Sequence, residues 1–312
     1  MGTSTRPFFL AGLAAALCLP TLTALAQPNF PGTDVSNRPE IVKTADIPYA
    51  TVDGETLALD LYMPAHTENP PLVVYLHGGA WRFGSKDSVS VIDLVDHGFA
   101  LASVSFRLTP VAPLPAQVHD IKGAIRFLRA HAAEYGYDAT RIGITGVSSG
   151  AHLAALVGLT NGSEPHEGEV GGNLDVSSDV QAIVSYFGAS NLTSILAQST
   201  PFGLNVREPA LELLLGGSVE DKMELARFGS PVYQVDSNDP PLLLLHGDQD
   251  PQMPINQTHE LHGAAKAAGI RVVFDVVHGA RHGGPEFYLP SRTASVAAFL
   301  REVLASSETS GH

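Results

Sequence analysis

The segment Gly146-Val147-Ser148-Ser149-Gly150 places a serine between glycines two positions away on either side. It follows a short apolar strand, Arg141 to Thr145, and opens a small-residue helix, Ala151 to Leu159. So sharp a strand-to-helix turn strains its central residue and presents the Ser148 hydroxyl at a helix N-terminus, where peptide dipoles favour developing negative charge. The chemistry this would serve is nucleophilic attack. A serine hydroxyl is a poor nucleophile at neutral pH and needs a base, which in turn needs an orienting acid. Two later stretches offer these groups: His246-Gly247-Asp248-Gln249-Asp250-Pro251-Gln252-Met253-Pro254 carries two acids, and His278-Gly279-Ala280-Arg281-His282-Gly283-Gly284 carries two imidazoles. Asp250 and His282 lie further out on their loops, with glycines that free His282 to reach back to Ser148; Asp248 and His278 read as turn-stabilising neighbours. A fourth stretch, His77-Gly78-Gly79-Ala80-Trp81, has two glycines that let backbone N–H groups approach a substrate carbonyl. It would form half of an oxyanion hole, the other half being the N–H of Ser149. His77 reads as a brace for that loop. Trp81 fits either a pocket wall or the core, and with Met253 it is a candidate lining residue of the substrate pocket.

These residues need elements that bring four distant stretches together. The runs Leu72 to Leu76 and Phe99 to Phe106 are short and continuously apolar, as expected of strands buried on both faces. Between Gln117 and Ala132 the apolar residues recur at helical spacing. Further strands are predicted at Val180 to Phe187, Pro241 to His246 and Arg271 to Val277, with helices near Gln257 to Ala268 and Ser291 to Ser306. Ile47 to Val52 and Leu57 to Tyr62 flank the turn Asp53-Gly54 and read as a β-hairpin. Strands alternating with helices predict an α/β fold, a mostly parallel central sheet with helices on both faces. In such sheets the sites lie past the carboxyl ends of strands, where all four stretches stand. Gly162 to Ser178 reads as a surface loop, and about 191–239 as a small lid insertion.

Serine, then acid, then histidine is the chain order of α/β-hydrolases. The chain resembles the esterase/lipase group of that fold, which includes hormone-sensitive-lipase-like carboxylesterases, kynurenine formamidases and bacterial feruloyl and acetyl-xylan esterases. The resemblance runs from about Tyr49 to Leu304. It rests on His77-Gly78-Gly79-Ala80-Trp81, Phe106-Arg107-Leu108-Thr109-Pro110, Asp120, Gly146 to Leu153, His246 to Asp250 with Pro254, and Gly279 to Gly283. It implies Ser148 as nucleophile, Asp250 as acid and His282 as base, with the N–H groups of Gly79, Ala80 and Ser149 as the oxyanion hole. Hormone-sensitive-lipase-like members usually carry a third glycine where Ala80 stands, so the H-G-G-x-W form is nearer to the feruloyl-esterase and formamidase branch. Little sequence precedes the first hairpin, so the two-helix N-terminal cap of many such lipases is expected to be missing and the site to be open.

Composition bounds the rest. The chain has 312 residues, 44% hydrophobic and 16% charged, with 30 Gly and 22 Pro, which is a folded, turn-rich composition. A formal charge of −14 repels phosphate backbones and argues against nucleic-acid binding. Residues 1–26 carry one charge, Arg6, then an apolar run from Phe8 to Leu19, and end in Ala24-Leu25-Ala26: a signal-peptide layout. Cleavage there would remove Cys18, the single cysteine, and would leave a secreted or periplasmic product with no membrane association. Residues 27–45 read as a polar N-terminal arm and 46–308 as one hydrolase domain. His259-Glu260-Leu261-His262 falls one residue short of H-E-x-x-H, so no metal site is expected, and no cofactor is required. Sequons start at Asn161, Asn191 and Asn256. The expectation is a serine carboxylesterase acting on short-chain or aromatic-acid esters, small or linked to polysaccharide; an amidase, formamidase or exopeptidase on the same fold is the alternative. The base must be neutral, so activity is expected to rise through about pH 6 to 7.

Overall fold

The computed structural model describes residues 1–2 and 33–305. The signal-peptide segment 1–26 lies outside the described residues, save for Met1 and Gly2. Eight strands form one sheet: β1 (Ile41–Val52), β2 (Glu55–Pro64), β3 (Pro71–Leu76), β4 (Ala100–Val104), β5 (Asp138–Val147), β6 (Ala182–Tyr186), β7 (Leu242–Gly247) and β8 (Val272–Val277). Their order is β1-β2-β4-β3-β5-β6-β7-β8. β1, β2 and β4 pair antiparallel, and every pair from β4/β3 to β7/β8 is parallel.

The central strands are apolar throughout because both faces are covered. In β3, Leu72, Val74 and Leu76 enter one core cluster with the helices Ala116–Ala130 and Ser149–Gly158, while Val73 and Tyr75 enter a second cluster with the C-terminal helix Pro290–Val303. This alternation is the two-residue strand period read from both sides of the sheet. The β1/β2 hairpin turns at Asp53 (φ 51°) and Gly54 (φ 86°), a left-handed pair that matches the twist of the flanking strands.

The arm expected over residues 27–45 ends sooner than that. β1 begins at Ile41 and pairs with β2 from Ile41↔Pro64 onward, with an irregularity between Thr44 and Ile47. β1 is an edge strand, so Val42, Lys43 and Thr44 face solvent and show no apolar alternation that a sequence pattern could detect. The segment from Gly162 to Ser178 is more than a surface loop. Its short helix Glu164–Glu167 brings Glu167 to Lys122 (2.7 Å) and Arg126 (3.0 Å), so the loop supplies the counter-charge that two buried bases require. Between β6 and β7, where the lid was expected, stand the helices Ile195–Gln198, Pro201–Leu215 and Met223–Phe228.

Candidate active site

Ser148 sits between β5 and the helix Ser149–Gly158 with φ 53° and ψ −119°, a sparsely populated conformation for a residue with a side chain. The flanking glycines make the turn possible. A Cβ on Gly150 would overlap the carbonyl oxygens of Leu76 and His77, and one on Gly146 would overlap the backbone of Gly150. The Ser148 N–H donates to the Tyr186 carbonyl (2.9 Å), which ties the elbow to β6.

His282 Nε2 lies 2.9 Å from Ser148 Oγ, and His282 Nδ1 lies 2.6 Å from Asp250 Oδ2. An ionised carboxylate on Nδ1 requires the proton there, which leaves Nε2 as the acceptor for the serine hydroxyl. The other oxygen of Asp250 accepts the N–H groups of Gln252 and Met253, both at 2.8 Å. Burial would raise the carboxyl of Asp250. Hydrogen bonds from His246, His282 and the Met253 N–H outweigh it and hold the group well below the usual carboxylate range, so the acid stays ionised. Phe187, at φ 45°, sets its ring edge-on to the His282 imidazole with centroids 4.8 Å apart. Asp248 and His278 pair with each other at 2.8 Å on the surface, and Asp248 also accepts the Gly279 N–H; neither reaches Ser148.

The loop after β3 carries three consecutive positive φ values: Gly79 (118°), Ala80 (53°) and Trp81 (61°). In that conformation the N–H groups of Gly79 and Ala80, like that of Ser149, donate none of the turn or loop hydrogen bonds found among the described residues. Gly79 and Ala80 line the same cleft as Ser148. His77 braces the loop: its Nδ1 bonds the Gly78 carbonyl (2.8 Å) and its ring stacks on Phe106 at 4.6 Å. Burial pushes the imidazole down to about 4, so it stays neutral at pH 7. Further along, Lys86 reaches the buried Asp60 (2.6 Å), which pins the loop to the sheet.

Both expected pocket residues, Trp81 and Met253, are placed elsewhere. Trp81 is 0% exposed; the left-handed backbone turns its indole inward, and Nε1–H donates to His152 Nδ1 (3.1 Å). Met253 is also 0% exposed and belongs to the core cluster. Its backbone serves the site instead, the N–H holding Asp250 and the carbonyl holding His246 Nε2 (3.0 Å). The cleft beside Ser148, about 480 Å³, is walled by residues that sequence reasoning passed over: Arg82, Phe83, Phe187, Val206, Gln252 and Tyr288. Phe187 stands just past the carboxyl end of β6, a position where such sheets place their sites, and that signal could have found it. Val206 comes from the insertion, whose helix Pro201–Leu215 thus closes one side of the cleft.

Among the described residues no group of three or more His, Cys, Asp or Glu side chains could hold a metal ion. His259 and His262 lie against Phe274, and Glu260 takes the Asn191 amide (2.6 Å).

The BD-FAE family profile matches residues 59–264, a stretch that contains Ser148, Asp250 and the His77-Gly78-Gly79-Ala80-Trp81 loop but not His282. Esterase LipQ of Mycobacterium tuberculosis is 31% identical over 259 residues, which is 80% of this chain and 58% of that protein. The chain therefore spans little more than half the length of that relative. Among solved structures, a truncated carbohydrate esterase from gut microbiota aligns with a TM-score of 0.77 at 31% identity, covering 85% of this chain and 97% of that one. A bifunctional GH43-CE protein of Bacteroides eggerthii aligns at 0.74 and 34% identity, over 84% of this chain and 35% of that one. With more than half of its residues matched, running from β2 through the elbow to the helix after the acid loop, the chain belongs to the BD-FAE family of α/β-hydrolases.

Proposed function

We propose that the protein is a serine hydrolase of carboxylic esters. The observation that carries this reading is the unbroken relay from Asp250 to His282 to Ser148, at 2.6 and 2.9 Å, opening on a cleft lined by Gly79 and Ala80, whose amides, like that of Ser149, donate no turn or loop hydrogen bond among the described residues. His282 Nε2 takes the Ser148 proton as Oγ attacks the ester carbonyl. The tetrahedral oxyanion receives the N–H groups of Gly79, Ala80 and Ser149, each worth about 3 kcal/mol in the transition state. His282 then protonates the leaving alcohol, and water attacks the acyl-serine by the same route. Throughout, Asp250 holds the imidazole in the one tautomer that can accept from serine.

The cleft's aromatic walls and moderate size suit a short acyl chain or an aromatic acid, and the carbohydrate-esterase likeness supports a sugar-linked ester as substrate. The export signal read over residues 1–26 makes the site of action extracytoplasmic, and the described residues contain no helix long and apolar enough to cross a membrane. Ser148→Ala, assayed on 4-nitrophenyl acetate, methyl ferulate and acetylated xylan, is expected to lose all turnover above about 0.1%. It is also expected to lose labelling by a fluorophosphonate. An active Ser148→Ala protein would refute the reading, and faster turnover of an anilide than of its matched ester would move it to the amidase class. Fractionation of producing cells would test export, and a cytoplasmic, uncleaved product would refute it.

A further inference from the structure

Arg82 follows the oxyanion loop and lines the cleft that contains Ser148. No Asp or Glu lines that cleft, although the chain has 32 acids against 18 Lys and Arg. Arg107, Arg126, Arg141, Arg271 and Arg292 each pair with a carboxylate, while Arg129 and Arg207 bond backbone carbonyls. Arg82 pairs with none among the described residues, and its buried Nε has no hydrogen-bond partner. Its guanidinium carbon lies 5.2 Å from the Phe83 ring centroid, so the head group is held in place by an aromatic face. Partial burial disfavours its charge, and no neighbour compensates. The Ser88 hydroxyl lines the same cleft and likewise makes no hydrogen bond to a described residue.

A partly desolvated, positioned and uncompensated guanidinium is a standing site for an anion, and its planar fork matches a carboxylate through two parallel N–H donors. Resting on the ester-hydrolase reading above, we propose that Arg82 recognises a carboxylate on the substrate, so that the preferred ester carries an acid group on its acyl or its alcohol part. The net charge of −14 repels such a substrate at long range, and a cation inside the cleft offsets that repulsion where the ester must bind. Phe83 and the Ser88 hydroxyl complete the subsite.

The test uses two matched pairs of esters on the full chain. 4-Nitrophenyl hydrogen succinate against 4-nitrophenyl levulinate places the charge on the acyl side; 4-acetoxybenzoate against 4-acetoxybenzamide places it on the alcohol side. In one pair, Arg82→Gln is expected to lower the charged-to-neutral ratio of kcat/KM by roughly tenfold relative to the parent protein, chiefly through KM. Arg82→Lys is expected to recover part of it, and added salt to shrink the parent's ratio. Both members of a pair are assayed on one preparation, so the ratio is insensitive to the fraction folded. An unchanged ratio in both pairs would overturn the proposal and leave Arg82 as packing for Phe83, with the esterase reading intact. No turnover of any of the four esters, together with no fluorophosphonate labelling of Ser148, would overturn both readings.

Discussion

His152 gives the sharpest test of how the site is held together. It lies in the helix that follows Ser148 and is wholly buried. Its Nε2 bonds the Gly229 carbonyl (2.7 Å), and its Nδ1 accepts the Trp81 indole N–H (3.1 Å), so one ring joins the loop after β3, the helix that follows Ser148 and the insertion. Only the neutral tautomer with its proton on Nε2 satisfies both partners; a proton on Nδ1 would face the indole N–H. Burial, together with the nearby Arg207 charge and against the Gly229 bond, lowers the imidazole to about 4. The unfolded chain titrates near 6.5, so between these values it binds more protons than the folded one, and stability present above 6.5 is lost as pH falls toward 4. For this single group the loss is about 1 kcal/mol at pH 5.5 and roughly 2 to 3 kcal/mol at pH 4.5. Urea unfolding of the parent and of His152→Gln across pH 7.5 to 4.5 isolates it. The non-titrating variant starts less stable, and the gap is expected to narrow by those amounts. His77 shifts stability in the same sense. Asp239, pushed up by burial to about 6, shifts it in the opposite sense over about pH 4 to 6. Both are common to the two proteins and cancel in the difference. A gap constant to within about 0.5 kcal/mol over the whole range would refute the reasoning.

Asp250→Asn is expected to lower kcat by about 10³- to 10⁴-fold, because a neutral amide no longer selects the His282 tautomer that accepts from Ser148. Asp248→Asn, which disturbs the surface pair with His278 and the bond from the Gly279 N–H but touches neither Ser148 nor His282, is expected to stay within twofold of the parent; equal losses in steady-state assays would show the acid assignment to be wrong. Gly150→Ala is expected to destabilise by about 3 kcal/mol or more, since its Cβ would meet the Leu76 and His77 carbonyls, which are backbone atoms and cannot rotate away. Activity should fall with it, because those carbonyls lead into the loop that carries Gly79 and Ala80 beside Ser148. A denaturation midpoint unchanged from the parent would count against the close approach.

What the sequence determined by itself is the part of the protein governed by local rules. The elbow at Ser148 was legible because a strand, two glycines and a helix occupy adjacent positions, and their steric needs are local. The strands on which β3 and β5 are centred were legible from apolar runs bounded by turn residues. Asp250 and His282 were distinguishable from Asp248 and His278 by their reach along glycine-containing loops. The tertiary structure alone decided which side chains meet across long separations. His282 lies 134 residues from the serine it contacts, and Trp81 lies 71 residues from the His152 that draws it into the core. Whether an aromatic faces cleft or core depends on a backbone turn of a few residues and on a buried acceptor elsewhere. Neither leaves a period in the sequence, so Trp81 and Met253 looked like pocket residues while Phe187, Val206 and Arg82 passed unnoticed. The edge position of β1 follows the same logic, because a strand with one solvent-facing side and no second neighbour need not show the pattern that betrays a buried one.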